Sequence, residues 1–195
     1  FTKTGVREDS TLVFVTPGSV IFGVEPFKQT MQKVVDRKDI YLRFFHKLIR
    51  IDGKNKIAFY KIMKHFDEPE KLTHNPKTIG LQVVTEDEIA IPFDMLHLAP
   101  PQSAPDFIKK SKLANKDGWL DVNIHSLQHN TYENVFGLGD AAALPTAKTG
   151  AAVRKQAPVV VDNLLRLMAG KVASNEDYNG YSSCPLVTGY GSMVL

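Results

Sequence analysis

Apolar and polar positions follow two periods along this chain, and the switches between them outline its elements. Thr11-Leu12-Val13-Phe14-Val15 is a short apolar, β-branched run closed by Thr16-Pro17-Gly18. It reads as a strand. After Glu25-Pro26-Phe27 the period changes: Phe27, Met31, Val34 and Val35 stand at i, i+4, i+7 and i+8, one face of a helix ending near Lys38. A proline at the first turn and a carboxylate beside it suit a helix start. Strand, turn and helix together form a unit that builds parallel sheets. Residues 40–51 and 56–62 read as two strands around Asp52-Gly53-Lys54-Asn55, a hairpin signal. Residues 63–80, polar and carrying Pro69 and Pro76, read as a loop. Residues 81–84, 89–92 and 95–99 suggest further short strands. Pro100-Pro101 stops the last of these, because proline cannot donate to a ladder. The main organisational break is expected there, near residue 97.

Beyond the break the pattern predicts a helix over 105–115, short strands at 119–122 and 135–138, and a long helix over 151–168. Pro158 lies inside that helix, at a cost of up to ~3 kcal/mol, so a kink or break is expected. Residues 177–195 are rich in aromatic residues and glycine, with no clear period. Internal repeats and low-complexity segments are absent from the sequence.

Composition narrows the classes. Of 195 residues 43% are hydrophobic and 23% charged, with a net charge of +3, which is ordinary for a globular chain. Disordered tails, collagen and coiled coils are excluded. A single cysteine excludes an internal disulfide framework. No apolar run approaches the ~20 residues that span a bilayer. The chain starts at Phe1 and shows no signal or transit peptide, and so reads as cut or processed from something longer. Charge is uneven: Lys28 to Lys64 holds eleven Lys/Arg and three Asp/Glu, net +8. A surface for nucleic acid or anionic lipid is one reading. A solvated face with lysines guarding an edge is the favoured one, because no basic–aromatic motif accompanies the charge.

Three local patterns could carry chemistry. In Thr131-Tyr132-Glu133-Asn134-Val135-Phe136-Gly137-Leu138-Gly139-Asp140 an apolar strand runs into Gly-Asp, then small residues and a helix. Gly139 would let a ligand approach the backbone, and Asp140 could accept hydrogen bonds from a sugar or ribityl hydroxyl. The helix opening at Lys148-Thr149-Gly150-Ala151-Ala152 offers free N–H groups and a positive dipole end. An Asp-capped turn without a ligand competes evenly with this reading. The second pattern is Cys184, set among hydroxyls, a proline and glycines rather than a periodic core. The third is the scatter of His46, His65, His74, His97, His125 and His129, none at metal-ligand spacing. His97 and Trp119 both read as core. The turn Pro17-Gly18-Ser19-Val20-Ile21-Phe22-Gly23 departs from G-x-G-x-x-G, which speaks against a nicotinamide site.

Together, Asn134-Val135-Phe136-Gly137-Leu138-Gly139-Asp140, Leu144-Pro145-Thr146-Ala147-Lys148-Thr149, Tyr178-Asn179-Gly180-Tyr181 and Ser183-Cys184-Pro185-Leu186-Val187-Thr188-Gly189-Tyr190 resemble the sulfide:quinone oxidoreductases of the mitochondrial type. That family is a branch of the two-dinucleotide-domain flavoprotein disulfide reductases. Asp94-Met95-Leu96-His97 with Pro100-Pro101, and Gly118-Trp119-Leu120-Asp121-Val122, are also similar to it. The resemblance spans nearly the whole chain, and its Ser-Cys-Pro-Leu-Val-Thr-Gly-Tyr segment is the most specific part.

The resemblance implies an α/β, Rossmann-like fold and extended FAD. Asp140 would hold the ribityl part, Gly139 would give close approach, and Lys148, Thr149, Gly150 and Ala151 would face the pyrimidine end. Cys184 would be one of two redox cysteines that take sulfur from sulfide as a persulfide. Electrons would pass through FAD to a membrane quinone, and the sulfane sulfur to glutathione or sulfite. A mitochondrial, inner-membrane location is implied, with attachment through a C-terminal segment beyond Leu195. The family's N-terminal FAD fingerprint and partner cysteine are absent from these residues. Residues 1–97 would finish the second nucleotide-type domain and 98–195 return to the FAD domain. Alone, the chain is expected to bind FAD weakly or not at all and to be inactive. Alternatives are a flavocytochrome sulfide dehydrogenase, an NADH:quinone reductase, or a basic domain for nucleic acid or an anionic surface.

Overall fold

The structure, a computed structural model, describes residues 1–64, 79–174 and 177–194. The chain divides into two compact units, Phe1–Leu98 and Ala99–Leu195.

In the first unit, β1 (Leu12–Val15) leads through the irregular turn 16–26 to α1 (Phe27–Arg37) and on to β2 (Ile40–Arg43). The two strands pair in parallel, Leu12 opposite Ile40 and Val15 opposite Arg43. Parallel neighbours need a crossover, and α1 supplies it, burying Val34 and Val35. The four-stranded antiparallel sheet that follows holds β3 (His46–Asp52), β4 (Ile57–Ile62), β5 (Gln82–Thr85) and β6 (Glu88–Pro92), in the order β3-β4-β6-β5. Its core is Ala58, Tyr60, Ile79, Ile89 and Ile91, against which Val13, Val15 and Tyr41 of the parallel pair also pack.

The stretch 40–51 is therefore not one strand but two, in different sheets. Phe45 adopts a left-handed backbone (φ 57°), which ends the extended run. The hairpin turns where expected, Asp52 opposite Ile57. Residues 95–99 form no strand. Met95, His97 and Leu98 are exposed there, and an apolar run without a ladder partner stays irregular. The loop expected over 63–80 falls mostly on residues outside those described.

The second unit is organised on α3 (Gly150–Met168). Thr149 caps it, its Oγ1 accepting from the Ala152 N–H at 3.2 Å. Pro158 does not break the helix. Its ring sits on the exposed side, where water can bond the carbonyl left free one turn earlier. The opposite face, Ala152, Gln156, Val159 and Asn163, is buried and packs on both sides of the proline, and the helix runs on through it without a break.

Other expected elements in this unit shrink to single contacts. Only α2 (Asp106–Lys109) of the helix over 105–115 forms. The Ser111 hydroxyl donates to the Ile108 carbonyl at 2.8 Å and accepts from the Leu113 N–H at 3.1 Å, which turns the chain away. Residues 119–122 and 135–138 are not extended strands but isolated bridges: Leu120 with Ala114 and Ala142, Val122 with His129, Phe136 with Gln128. At the end of the chain β7 (Leu186–Gly189) and β8 (Ser192–Val194) make a hairpin through Tyr190-Gly191, which the aperiodic pattern did not reveal. No helix among the described residues is long and apolar enough to cross a membrane.

Candidate functional site

The apolar run at 135–138 ends in a tight 3-10 turn, Gly139–Ala141. Gly137 is held there because an added Cβ would lie 2.1 Å from Leu120 Cδ2. Gly139 has φ +69°, a left-handed backbone that favours glycine, and its N–H donates to Gln156 Oε1 at 2.8 Å. Asp140 follows, exposed and without a hydrogen bond to any described residue. Around this turn a shallow, closely packed surface recess is lined by Gly139, Leu144, Thr146, Ala147, Lys148 and α3.

Lys148 closes one side of the recess. Its Nζ donates to the Ala142 carbonyl at 2.7 Å and sits 4.0 Å from the centre of the Trp119 ring. Burial lowers its pKa, and the Asp140 carboxylate pulls the other way. Trp119 is thus half-buried beneath a cation rather than a plain core residue. Thr149 ends the loop as the α3 cap, and beyond it Gly150 is open: a Cβ there would meet nothing within 4 Å.

Cys184 is a free, exposed thiol. Its segment is tied to the α3 turn through Ser182, whose hydroxyl donates to the Ala147 carbonyl at 3.1 Å and lies 3.2 Å from Thr149 Oγ1. Two Cα steps span at most about 7 Å, so the cysteine's backbone runs beside the start of α3. The structure therefore brings Gly139, Asp140, Lys148, Thr149, Gly150, Ala151 and the Cys184 segment to one end of α3.

The pattern missed the residues that join these pieces. Gln156 and Tyr178, each 2% exposed, stand between the Gly139 turn and the Cys184 segment. Gln156 had a visible signal, a polar residue on the buried face between Ala152 and Val159. His97, by contrast, is exposed and not a core residue. His129 is the buried histidine of this unit. Its Nδ1 accepts from the Thr131 and Tyr132 N–H groups at 3.0 and 3.2 Å, so Nε2 carries the proton and donates to the Leu113 carbonyl at 3.1 Å. Among the described residues, no cluster of histidine, cysteine and carboxylates could hold a metal.

An exposed carboxylate after a left-handed glycine, an open glycine at a helix start and helix N–H groups beyond the cap are donors and acceptors that could hold a hydroxylated, anionic ligand such as a flavin nucleotide.

Comparison with known proteins gives a consistent picture. The chain is 37% identical over all 195 residues to the mitochondrial sulfide:quinone oxidoreductase of Mus musculus, covering 39% of that protein. It is 34% identical over 194 residues to the protein of the same name from Dictyostelium discoideum, covering 38% of it. It thus spans less than two fifths of the curated relatives it matches. Among solved structures, 93% of it superimposes on 39% of a chain in the Tetrahymena thermophila mitochondrial ATP synthase structure, with TM-score 0.70 and 26% identity. It also shares the fold of sulfide:quinone oxidoreductase from Aquifex aeolicus, with TM-score 0.67 and 17% identity over 87% of this chain and 38% of that one. No family model matches it.

Proposed function

The chain is a relative of the mitochondrial sulfide:quinone oxidoreductases, aligned with one stretch of them from end to end, and on that premise we propose that it forms the flavin- and sulfur-handling part of such an enzyme. Residues 1–97 complete the second nucleotide-type domain, and 98–195 belong to the FAD domain. Asp140 accepts hydrogen bonds from the ribityl hydroxyls of FAD. Gly139 permits the approach, and Lys148, Thr149, Gly150 and Ala151 line the end where negative charge develops. FAD bound there would supply a two-electron acceptor, with a membrane quinone as the final one.

Cys184 is one of two redox cysteines; its partner is not among these 195 residues. With the pair oxidised, hydrosulfide attacks one sulfur of the disulfide. A new S–S bond forms, the old one breaks, one cysteine carries the persulfide and the other leaves as a thiolate. The sulfane sulfur passes to a nucleophile such as glutathione or sulfite. We place the chain in mitochondria, at the inner membrane, by the same reasoning.

The observation that carries this reading is the Ser182 hydroxyl between Ala147 and Thr149, which ties the cysteine's segment to the dipole end where the flavin is proposed. The test exchanges these residues into the Mus musculus enzyme at the aligned stretch. The hybrid should purify with FAD. Asp140→Ala should weaken FAD retention by roughly tenfold to a hundredfold, the worth of a hydrogen bond to a charged group. A hybrid that folds without FAD would contradict the reading.

A second reading comes from the likeness to a chain in the Tetrahymena thermophila assembly. On it the chain is a structural component of a mitochondrial complex and transfers no electrons. Co-migration with such a complex on native gels, with no flavin present, would favour it.

A further inference from the structure

The two ends of the proposed site are joined by a line of hydrogen bonds through the buried side chains of Gln156 and Tyr178. The Gly139 N–H donates to Gln156 Oε1 at 2.8 Å, Gln156 Nε2 donates to the Tyr178 hydroxyl at 3.1 Å, and that hydroxyl donates to the Tyr181 carbonyl at 2.6 Å. Gln156 and Tyr178 are each 2% exposed, so the bond between them is shielded from water, while the two end bonds are partly buried. Each group uses what it has. The glutamine accepts at one end of its amide and donates at the other, and the phenol accepts from the amide and donates onward. Direction is thereby fixed along the whole line, from Gly139 to Tyr181.

Tyr178 is itself clamped. Its carbonyl accepts from His125 Nδ1 at 2.9 Å, its N–H donates to the His125 carbonyl at 3.1 Å, and its ring packs with Leu127 and Val159. The far end of the line is held from outside by Lys155 over the Tyr181 ring at 5.9 Å and by Ser182 against Thr149.

We infer that Gln156 and Tyr178 are positioning residues, a buried amide–phenol relay that sets the Cys184 segment in register with the Gly139–Asp140 turn. The inference rests on the reading of those two places as the sulfur and flavin ends of one site. The relay touches neither reactant. It acts through the backbone, at Gly139 on one side and at Tyr181, three residues before Cys184, on the other. A glutamine is suited to this where a leucine is not, because only a group that both accepts and donates can couple the two ends. A local core requirement alone would ask for volume, which leucine or methionine would supply.

The experiment uses the chain's single cysteine as its own reporter. A nitroxide attached to Cys184 reads the mobility of the segment by electron paramagnetic resonance, with no flavin present. Tyr178→Phe keeps the packed ring and deletes only the hydroxyl. Gln156→Met keeps the volume and deletes both amide bonds. In each variant the ratio of mobile to immobile label should rise about tenfold, the size expected when a buried hydrogen bond is lost. The double variant should be no more mobile than the worse single one, since either change interrupts the same line. Ile108→Val, trimming a separate core cluster of this unit, should lower the melting temperature and leave the label unmoved. An unchanged label in Tyr178→Phe, additive effects in the double variant, or equal mobility in Ile108→Val would each overturn the inference. Because the label needs no flavin, failure of the flavin reading shows separately, as a hybrid enzyme that folds without FAD while the label behaves as expected.

Discussion

Gly137 has no room for a methyl group, since a Cβ there would sit 2.1 Å from Leu120 Cδ2 and 3.2 Å from Val122 Cγ1. Both neighbours are buried, in the cluster that also holds Ile108 and Ala142. Gly137→Ala should therefore destabilise the second unit by about 1–3 kcal/mol, the usual cost of overpacking, read by thermal or denaturant melting. Gly139 is constrained differently, by its left-handed backbone. Residues of this kind were legible in the sequence: Gly-x-Gly-Asp after an apolar run marks a place where backbone geometry matters. Cys184 was equally visible, as the lone thiol outside any periodic pattern. Gln156 and Tyr178 were harder to see, because a buried amide declares itself only when its partners, 17 and 22 residues away along the chain, are brought together. His97 misled because an apolar neighbourhood in sequence says nothing of whether another strand lies alongside.

At the scale of elements, α3 carries the second unit. Asn163, fully buried, donates to the Ser126 carbonyl at 2.9 Å and accepts from the Ser174 N–H at 2.7 Å, tying the helix to segments on either side. Asn163→Leu leaves those backbone groups unpaired and should cost about 2–4 kcal/mol. Thr149→Ala should cost about 1 kcal/mol by removing the cap, and Thr149→Ser should restore most of it; urea melts of the three proteins decide. The β3–β4 hairpin makes a pH prediction. Asp52 accepts from the Asn55 N–H at 3.0 Å and from its side-chain amide at 2.7 Å, which hold the carboxyl below its ordinary 3.8. Its contribution is complete above that pH and disappears as pH falls through the lowered value. Asp52→Ala should flatten the acid limb of the stability profile below about pH 4 and leave neutral pH dependence unchanged. The helices with strong period, α1 and α3, and the hairpin were readable in advance. The isolated bridges of the second unit were not, because single backbone pairs impose no alternation on the side chains.

On the scale of the whole molecule, the chain is two compact units, each with its own core. Large apolar side chains remain exposed in both, among them Val83 and Met95 in the first, and Phe107, Val161, Leu165 and Met168 in the second. Val161, Leu165 and Met168 line one side of α3 at helical spacing, opposite the buried face. The chain spans less than two fifths of the relatives it matches, and those relatives carry further polypeptide. The Rossmann-like class and the family were legible because the resemblance runs through motifs spread along the chain. The proposed electron path was legible only through that resemblance, since it would need a second cysteine and a nucleotide, and these 195 residues hold one cysteine.

The most direct test of that path is an anaerobic titration of the flavin-loaded hybrid enzyme with sulfide, followed by flavin absorbance, with and without Cys184→Ser. The account predicts bleaching of the flavin by sulfide in the parent and none in the variant, with FAD content equal in both. Equal bleaching in the two proteins would contradict it.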